Sequence, residues 1–412
     1  MGLRMAIGHN RTGKVIMKIL FHQYGSICEP DIISVFESSG LQVVREDTEV
    51  AQKSIPAQQR IRLLSDYLFG DNFSFVFSIN FFPYISDICE RFQIPYVCLS
   101  VDCPVLELFS ESVKNKWNRI FLFDYTQYLR IAPANPDCVF YLPLATNVGR
   151  WDSVISSMTP DENRKYTSDI SFVGSLYTEK SPLSSQMLPP RLAGYVDGAV
   201  EAQLQVYGYN FLEEIITPEL TKQFKKIFPD YRNLTSIYAG TDAYTAANYY
   251  LAMRAAELER IRTLQALSHN FYVDVYTRSS CRDLTSVPNL RFKGGVSTLT
   301  EMPKVFHCSK INLNITIKSI QSGLSLRVWD VLGCGGFLLS NYQTEIPEYF
   351  EIDKDLVCYE SIGDLKEKTA YYLAHDDIRM EIAHNGYEKV KAQHTWAHRI
   401  SAMMQTVLAT LS

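Results

Sequence analysis

The sequence predicts an α/β protein of two domains, each a parallel sheet wrapped by helices. Three observations predict it. The chain has 412 residues, more than one ordinary core holds. Short apolar runs alternate with helical patterns in both halves, the signature of strand–helix–strand units. A polar stretch, SVISSMTPDENRKYTS over Ser153–Ser168, breaks the alternation between the halves and marks a domain boundary.

In the first half, strands are expected at Lys18–Phe21, Leu41–Val44, Ser74–Ile79, Tyr96–Val101, Arg119–Phe123 and Val139–Leu142. Helical spacing of Ile32, Ile33 and Phe36 predicts a helix over Pro30–Ser39, and Ile61, Leu64 and Tyr67 predict another over Ala57–Phe69. Pro83 opens a third, Pro83–Phe92, at the position where proline costs a helix nothing. The second half starts with a strand at Asp169–Val173, turns helical, and resumes with strands at Phe271–Tyr276, Leu290–Phe292, Ile311–Ile315, Phe337–Ser340 and Leu356–Tyr359. A long helix is expected over Ala243–Leu267, with others at Gly363–Leu373, Asp377–Ala392 and His398–Thr410. The expected division is a tail over 1–16, a first domain over 17–155, and a second over 165–395 with a helical insert near 181–240.

Composition excludes several function classes. Hydrophobic residues make up 46% and charged residues 21%, which suits a globular protein rather than a disordered one. The net charge of -5 and the lack of a basic run exclude a nucleic-acid groove. No apolar run reaches the roughly 18 residues of a membrane span. The start MGLRMAIGHNRTGK lacks the apolar run of a signal peptide and the myristoylation pattern, with Ala6 where Ser or Thr is required. Nine scattered cysteines, odd in number and without CxxC pairs, read as reduced thiols. A cytoplasmic protein is expected.

The stretch Ser309–Asn341, SKINLNITIKSIQSGLSLRVWDVLGCGGFLLSN, reads as strand, small-residue turn, helix, glycine pair and strand. A polar loop that opens a helix between buried strands suits a phosphorylated ligand. Free N–H groups at Ser322, Gly323 and Leu324, with the cation of Arg327, would hold a diphosphate; alternatively Ser322 only caps the helix. Asp330, three positions on, would take ribose hydroxyls or an internal partner. Gly174 and Ser175 follow a strand, where the backbone can approach a phosphate with Lys180 nearby, or can simply turn. Tyr276 and Arg278 end another strand and would supply base stacking and a second cation, and Gly294 opens a turn that would frame the base. Cys334 lacks an activating partner and reads as a packed thiol.

In the first half, His22 and Asp102 stand at strand carboxyl ends, where open α/β sheets place their sites. Either can act as a general base on an acceptor hydroxyl, or can be tied up in its loop. Asp353 and Asp355 have DxD spacing but read as a solvated turn, and His384, His394 and His398 are too spread for a zinc site. No protein-bound metal and no resident cofactor are expected.

Several segments together resemble the GT-B glycosyltransferases of the spore-maturation CgeB-like group. They are SDISFVGSLY (168–177), EMPKVFHCSKINLNIT (301–316), LRVWDVLGCGGFLLSN (326–341) with EIPEYFE after it, and RMEIAHNGYEKVKAQHTWAHR (379–399). FSINFFPYISDICERFQIPYVCLSVDCP (77–104), HQYG and LPLATN resemble the amino-terminal half of such proteins. The resemblance implies two Rossmann-like domains facing across a cleft. A nucleotide diphosphate sugar, by default a UDP-sugar, would bind in the second, and a protein, polysaccharide or small-molecule acceptor in the first. It also implies that helix 396–412 packs back on the first domain. Asp330 stands where Glu is usual. The expected function is metal-independent glycosyl transfer. The rivals on the same architecture are a nucleotide-sugar epimerase and a non-catalytic sugar- or protein-binding relative.

Overall fold

Apolar runs bury the central strands almost throughout, β5 and β6 of the first half at every residue, and each half builds one six-stranded parallel sheet. The structure, a computed structural model, describes residues 8–9, 15–52, 55–280 and 282–411. It divides into one unit of Met1–Leu144 with Trp396–Ser412 and another of Ala145–Thr395. Of the tail expected over 1–16, residues 1–7 and 10–14 lie outside the described residues. Within it, β1 (Gly8–His9) and β2 (Val15–Ile16) pair antiparallel.

The first unit's strands are β3 (Lys18–His22), β4 (Gln42–Glu46), β5 (Phe75–Ile79), β6 (Tyr96–Leu99), β7 (Asn118–Leu122) and β8 (Val139–Tyr141), ordered β4-β3-β5-β6-β7-β8. Alternate side chains of these strands serve the two faces. Leu20, Val76, Cys98 and Ile120 pack with Leu64, Leu68 and Ile85 on one side. Phe21 and Phe77 meet Phe36 of helix Glu29–Ser38 on the other. Helix Trp396–Leu411 belongs to this unit: Arg119 on β7 donates to Thr410 Oγ1 and to its carbonyl, each at 2.7 Å, and Arg399 Nε donates to the Pro143 carbonyl at 3.0 Å.

The second unit's strands are β9 (Ser168–Val173), β10 (Val273–Tyr276), β11 (Leu290–Phe292), β12 (Ser309–Asn314), β13 (Leu338–Asn341) and β14 (Val357–Tyr359), ordered β11-β10-β9-β12-β13-β14. Ser153–Ser168, read above as the join, lies inside this unit, mostly in helices Val148–Ser156 and Pro160–Tyr166. The expected long helix runs from Asp242 to Ser268 through one wider turn at Ala246–Leu251. The insert has its own core, in which Leu192, Val196, Leu220, Phe224 and Tyr231 pack against Tyr250 and Leu251.

Gly386 shows how tightly the second unit is packed. A Cβ there would sit 2.3 Å from the Asp355 carbonyl oxygen and 2.8 Å from Leu332 Cδ2. Gly386→Ala should therefore lower stability by about 1–3 kcal/mol in chemical denaturation despite alanine's better helix propensity. Gly194, in the helix Pro190–Gln203, has open space around it. There the same substitution should raise stability by up to about 1 kcal/mol.

Candidate functional site

In the second sheet, β10 and β11 lie to one side of β9 and β12 to the other, so the strand order reverses between β9 and β12. Crevices at such reversals, outside the carboxyl ends, are where open α/β sheets bind ligands. The loops after β9 and β12 bound this one. Arg260, from helix Ala252–Ser268, reaches both: Nη1 donates to the Ser175 carbonyl at 2.5 Å and Nη2 to the Ile315 carbonyl at 2.8 Å. Its guanidinium lies over the Tyr177 ring, 4.5 Å from the centroid. Burial pushes its pKa down, and Nε has no hydrogen-bond partner among the described residues. Arg327 keeps some surface exposure, but its guanidinium sits against Met302 Sδ and over the Phe306 ring. Burial lowers its pKa; Asp330 opposes that shift and Arg260 adds to it. Neither arginine has an ion-pair partner among the described residues. Lys318, after β12, is buried in an ion pair with Glu259 at 3.0 Å.

The residues expected to line the site are placed as follows. The helix begins at Leu326 with Ser325 at its N-cap, not at Gly323. Ser322, Gly323 and Leu324 are buried in the loop before it. Gln343 Nε2 holds the carbonyls of Ile320 (3.1 Å) and Gly323 (3.3 Å), and the Glu345 N–H holds that of Ser322 (3.3 Å), which keeps the chain out of helix until Ser325. The free helical N–H groups are thus shifted toward Leu326 and Arg327. Ser325 Oγ is buried with no partner among the described residues.

Gly174 donates its N–H to the Tyr276 carbonyl, and a Cβ on it would meet only the Phe172 ring, at 3.3 Å. The Ser175 hydroxyl donates to Glu179 and accepts the Tyr177 N–H, so it is committed internally. Tyr276, expected to stack on a base, is 4% exposed, because β10 is buried along its whole length. Arg278 is exposed, makes no ion pair among the described residues, and lies over Gly295. Gly294 adopts a φ of 77° and has open space around it, a tight turn that only glycine takes without strain. Asp330, expected to take ribose hydroxyls or an internal partner, has an internal one. Its Oδ1 accepts from Thr146 Oγ1 at 2.7 Å, and Thr146 in turn accepts from Trp151 Nε1 at 2.6 Å, so this carboxylate anchors helix Leu326–Gly333 to the start of the unit. Cys334 is a buried thiol whose pKa is raised by burial.

In the first sheet the order reverses between β3 and β5. His22 ends β3 and is 2% exposed. Its Nδ1 is 2.5 Å from Glu46 Oε2 and its Nε2 is 3.3 Å from the Tyr84 hydroxyl, so both nitrogens are engaged. Burial works against the charge on Glu46, but His22 and the Thr48 N–H outweigh it and hold the carboxyl below its ordinary range. Asp102 is exposed after β6. Asn80, after β5, positions it: Nδ2 donates to Asp102 Oδ2 at 2.6 Å and to the Tyr24 hydroxyl at 2.8 Å, while Oδ1 accepts the Val101 N–H at 2.9 Å. Asn80 holds a φ of 60°, a region asparagine tolerates better than most residues. Glu29 fills the loop after β3. Its Oε1 accepts the N–H groups of Tyr24 (2.9 Å), Gly25 (3.0 Å) and Ser26 (3.0 Å), and the residue is 3% exposed. A cluster of backbone amides at a helix start is an anion cradle, and here the chain's own carboxylate occupies it.

A family model described as glycosyl transferase-like matches residues 254–405, a span that holds Arg260, Lys318 and Arg327. Sucrose-phosphate synthase from Thermosynechococcus elongatus is similar in structure at 10% identity, covering 95% of this chain and 99% of that one with a TM-score of 0.52. A glycosyltransferase from Rickettsia africae is similar at 8% identity over 96% and 99%, with a TM-score of 0.51. The fold is GT-B. Anabaena HepE, solved in complex with UDP and glucose, overlays at a TM-score of 0.48 with 8% identity over 95% and 100%. None of the curated proteins compared with the chain matches it in sequence.

Within this GT-B chain the DxD spacing has another use. Asp355 is buried, pairs with Lys389 at 2.7 Å and accepts the Glu351 N–H at 2.8 Å, so it is an internal brace rather than a solvated turn. His394 packs its ring against Trp329, 5.1 Å between centroids. Among the described residues no helix is long and apolar enough to cross a membrane. Arg260, Lys318, Asn80 and Glu29 escaped the sequence reading. The run Glu257-Leu258-Glu259-Arg260 looks like the wet side of a helix, yet Glu257, Glu259 and Arg260 are all buried. Charges at such density within an otherwise apolar helix were the available signal.

Proposed function

We propose that this protein is a glycosyltransferase that takes a sugar from a nucleotide diphosphate sugar, with a UDP-sugar as the first candidate, and passes it to a hydroxyl acceptor. One observation carries the reading. Arg260 and Arg327 are held in low-dielectric surroundings at the reversal of the second sheet, Arg260 adds to the cost of the charge on Arg327, and neither makes an ion pair among the described residues, although Glu259 and Asp330 ease that cost from nearby. Unpaired buried cations are costly, and a diphosphate would offset both. The two arginines would also stabilise the extra negative charge that the diphosphate gains when the bond to the sugar breaks, which is the main electrostatic demand of glycosyl transfer from such donors. The cations of the chain would do this without a bound metal.

The acceptor belongs with the first unit. Its anion cradle is filled by Glu29, which disfavours a phosphate there, and Asp102 offers an oriented, accessible carboxylate as the base for an inverting transfer. The acceptor would be a protein, a glycan or a small molecule, and the reaction would run in the cytoplasm.

The test is a panel of UDP-, GDP- and dTDP-sugars, each incubated with and without cell extract. Transfer requires nucleotide release that depends on the extract. An isomerised donor without release would replace this reading with epimerisation. Failure to bind any nucleotide would remove the enzymatic reading.

A further inference from the structure

The second unit carries a further cavity of about 590 Å³ at the amino end of its sheet, remote from the crevice just described. Ser309 and Lys310 open β12 on its wall, whereas the crevice lies past Asn314. At about 3.3 Å per residue the two are separated by roughly 17 Å of strand. Arg379, Met380, Ala383, His384 and Tyr387 line it from one face of helix Asp376–Gln393. Ile155 and Phe337 add apolar wall, and His307 and Cys308 close it from helix Met302–Cys308.

We propose that this cavity binds a small organic anion, an oxyanion head on an apolar body. Arg379 supplies the recognition. It is 7% exposed, and its Nη1 donates to the Tyr372 carbonyl at 2.8 Å and to Asp376 Oδ1 at 2.5 Å. Its Nε and Nη2, the edge that grips carboxylates and phosphates in pairs, have no partner among the described residues. The exposed His384 stands on the same wall, as does Lys310, whose charge is already paired with Asp169 at 2.9 Å. Asp152 is the acidic group that faces the space, and the Tyr387 hydroxyl covers both of its oxygens at 3.0 and 2.9 Å. The Cys334 carbonyl, at a helix end, faces His307 Nδ1 at 3.2 Å, which takes that acceptor out of play. Concave, mainly apolar walls with a few converging polar groups are the usual form of a small-molecule site. The inference stands whether or not the chain transfers sugars.

Cys308 provides a local reporter, because the other described cysteines are buried. Its alkylation by iodoacetamide would be followed by peptide mass spectrometry at mildly alkaline pH, with phenyl phosphate, benzoate or neutral benzyl alcohol present. The expected result is protection by one or both anions and none by the alcohol; the anion that protects better identifies the head group. Arg379→Met and the surface change His384→Asp should each weaken protection ~10-fold or more, with thermal denaturation confirming the fold. Equal protection by benzyl alcohol, protection by neither anion, or protection unchanged in both variants would overturn the proposal.

Discussion

Arg327→Met will bind nucleoside diphosphates about 100-fold more weakly, or roughly 2.7 kcal/mol, yet will melt no lower than the parent protein. The two halves of this result come from one cause. The guanidinium rests on Met302 and Phe306, has no ion-pair partner among the described residues, and is disfavoured by burial and by Arg260. An apolar side chain of similar length relieves that cost, since replacing buried charges with well-packed apolar groups is often neutral or stabilising. The ligand loses a charge-assisted contact in the same stroke. Calorimetric titration with UDP, GDP and dTDP, paired with thermal denaturation, measures both. Unchanged affinity would take Arg327 out of the diphosphate site. A large fall in melting temperature would show that the cation serves the fold instead.

Asp102→Asn will lower sugar transfer by about 10²–10⁴-fold while donor affinity stays the same, the range for loss of a general base. The amide keeps the shape and can still meet Asn80, but it cannot take a proton. The separation matters because Asp102 belongs to the first unit and the arginines to the second. Steady-state kinetics should show the loss in kcat, with donor binding measured independently. Asn80→Ala should fall between the two, since it removes the 2.6 Å contact to Asp102 but leaves the carboxylate in place. Full transfer by Asp102→Asn would exclude this base and point to a reaction that retains configuration, which needs none.

The sheets were legible because their strands are buried on both faces and read as continuous apolar runs, as Phe75–Ile79 does. The helix before Gly386 and the strand at Ser309 also follow from local pattern. What sequence could not give was partner choice. Asp330 and Tyr276 have the right residue types at promising positions, but Thr146 takes the first and the interior takes the second. Thr146 is 184 positions away from Asp330 along the chain, and no local spacing encodes such a pairing. The start of helix Leu326–Gly333 was misplaced by three residues because Gln343 and Glu345, from after the next strand, hold the preceding carbonyls. His22 looked like a base for the same reason: Glu46 and Tyr84 reach it from elsewhere in the chain.

The carboxylate of Glu29, seated on the amides of Tyr24, Gly25 and Ser26, sets a stoichiometry. Two domains of similar architecture could have meant two competing nucleotides per molecule, with the inhibition patterns of a duplicated site. With one half permanently stoppered by its own side chain, a titration should saturate at a single equivalent, and excess donor should not crowd the acceptor from its place.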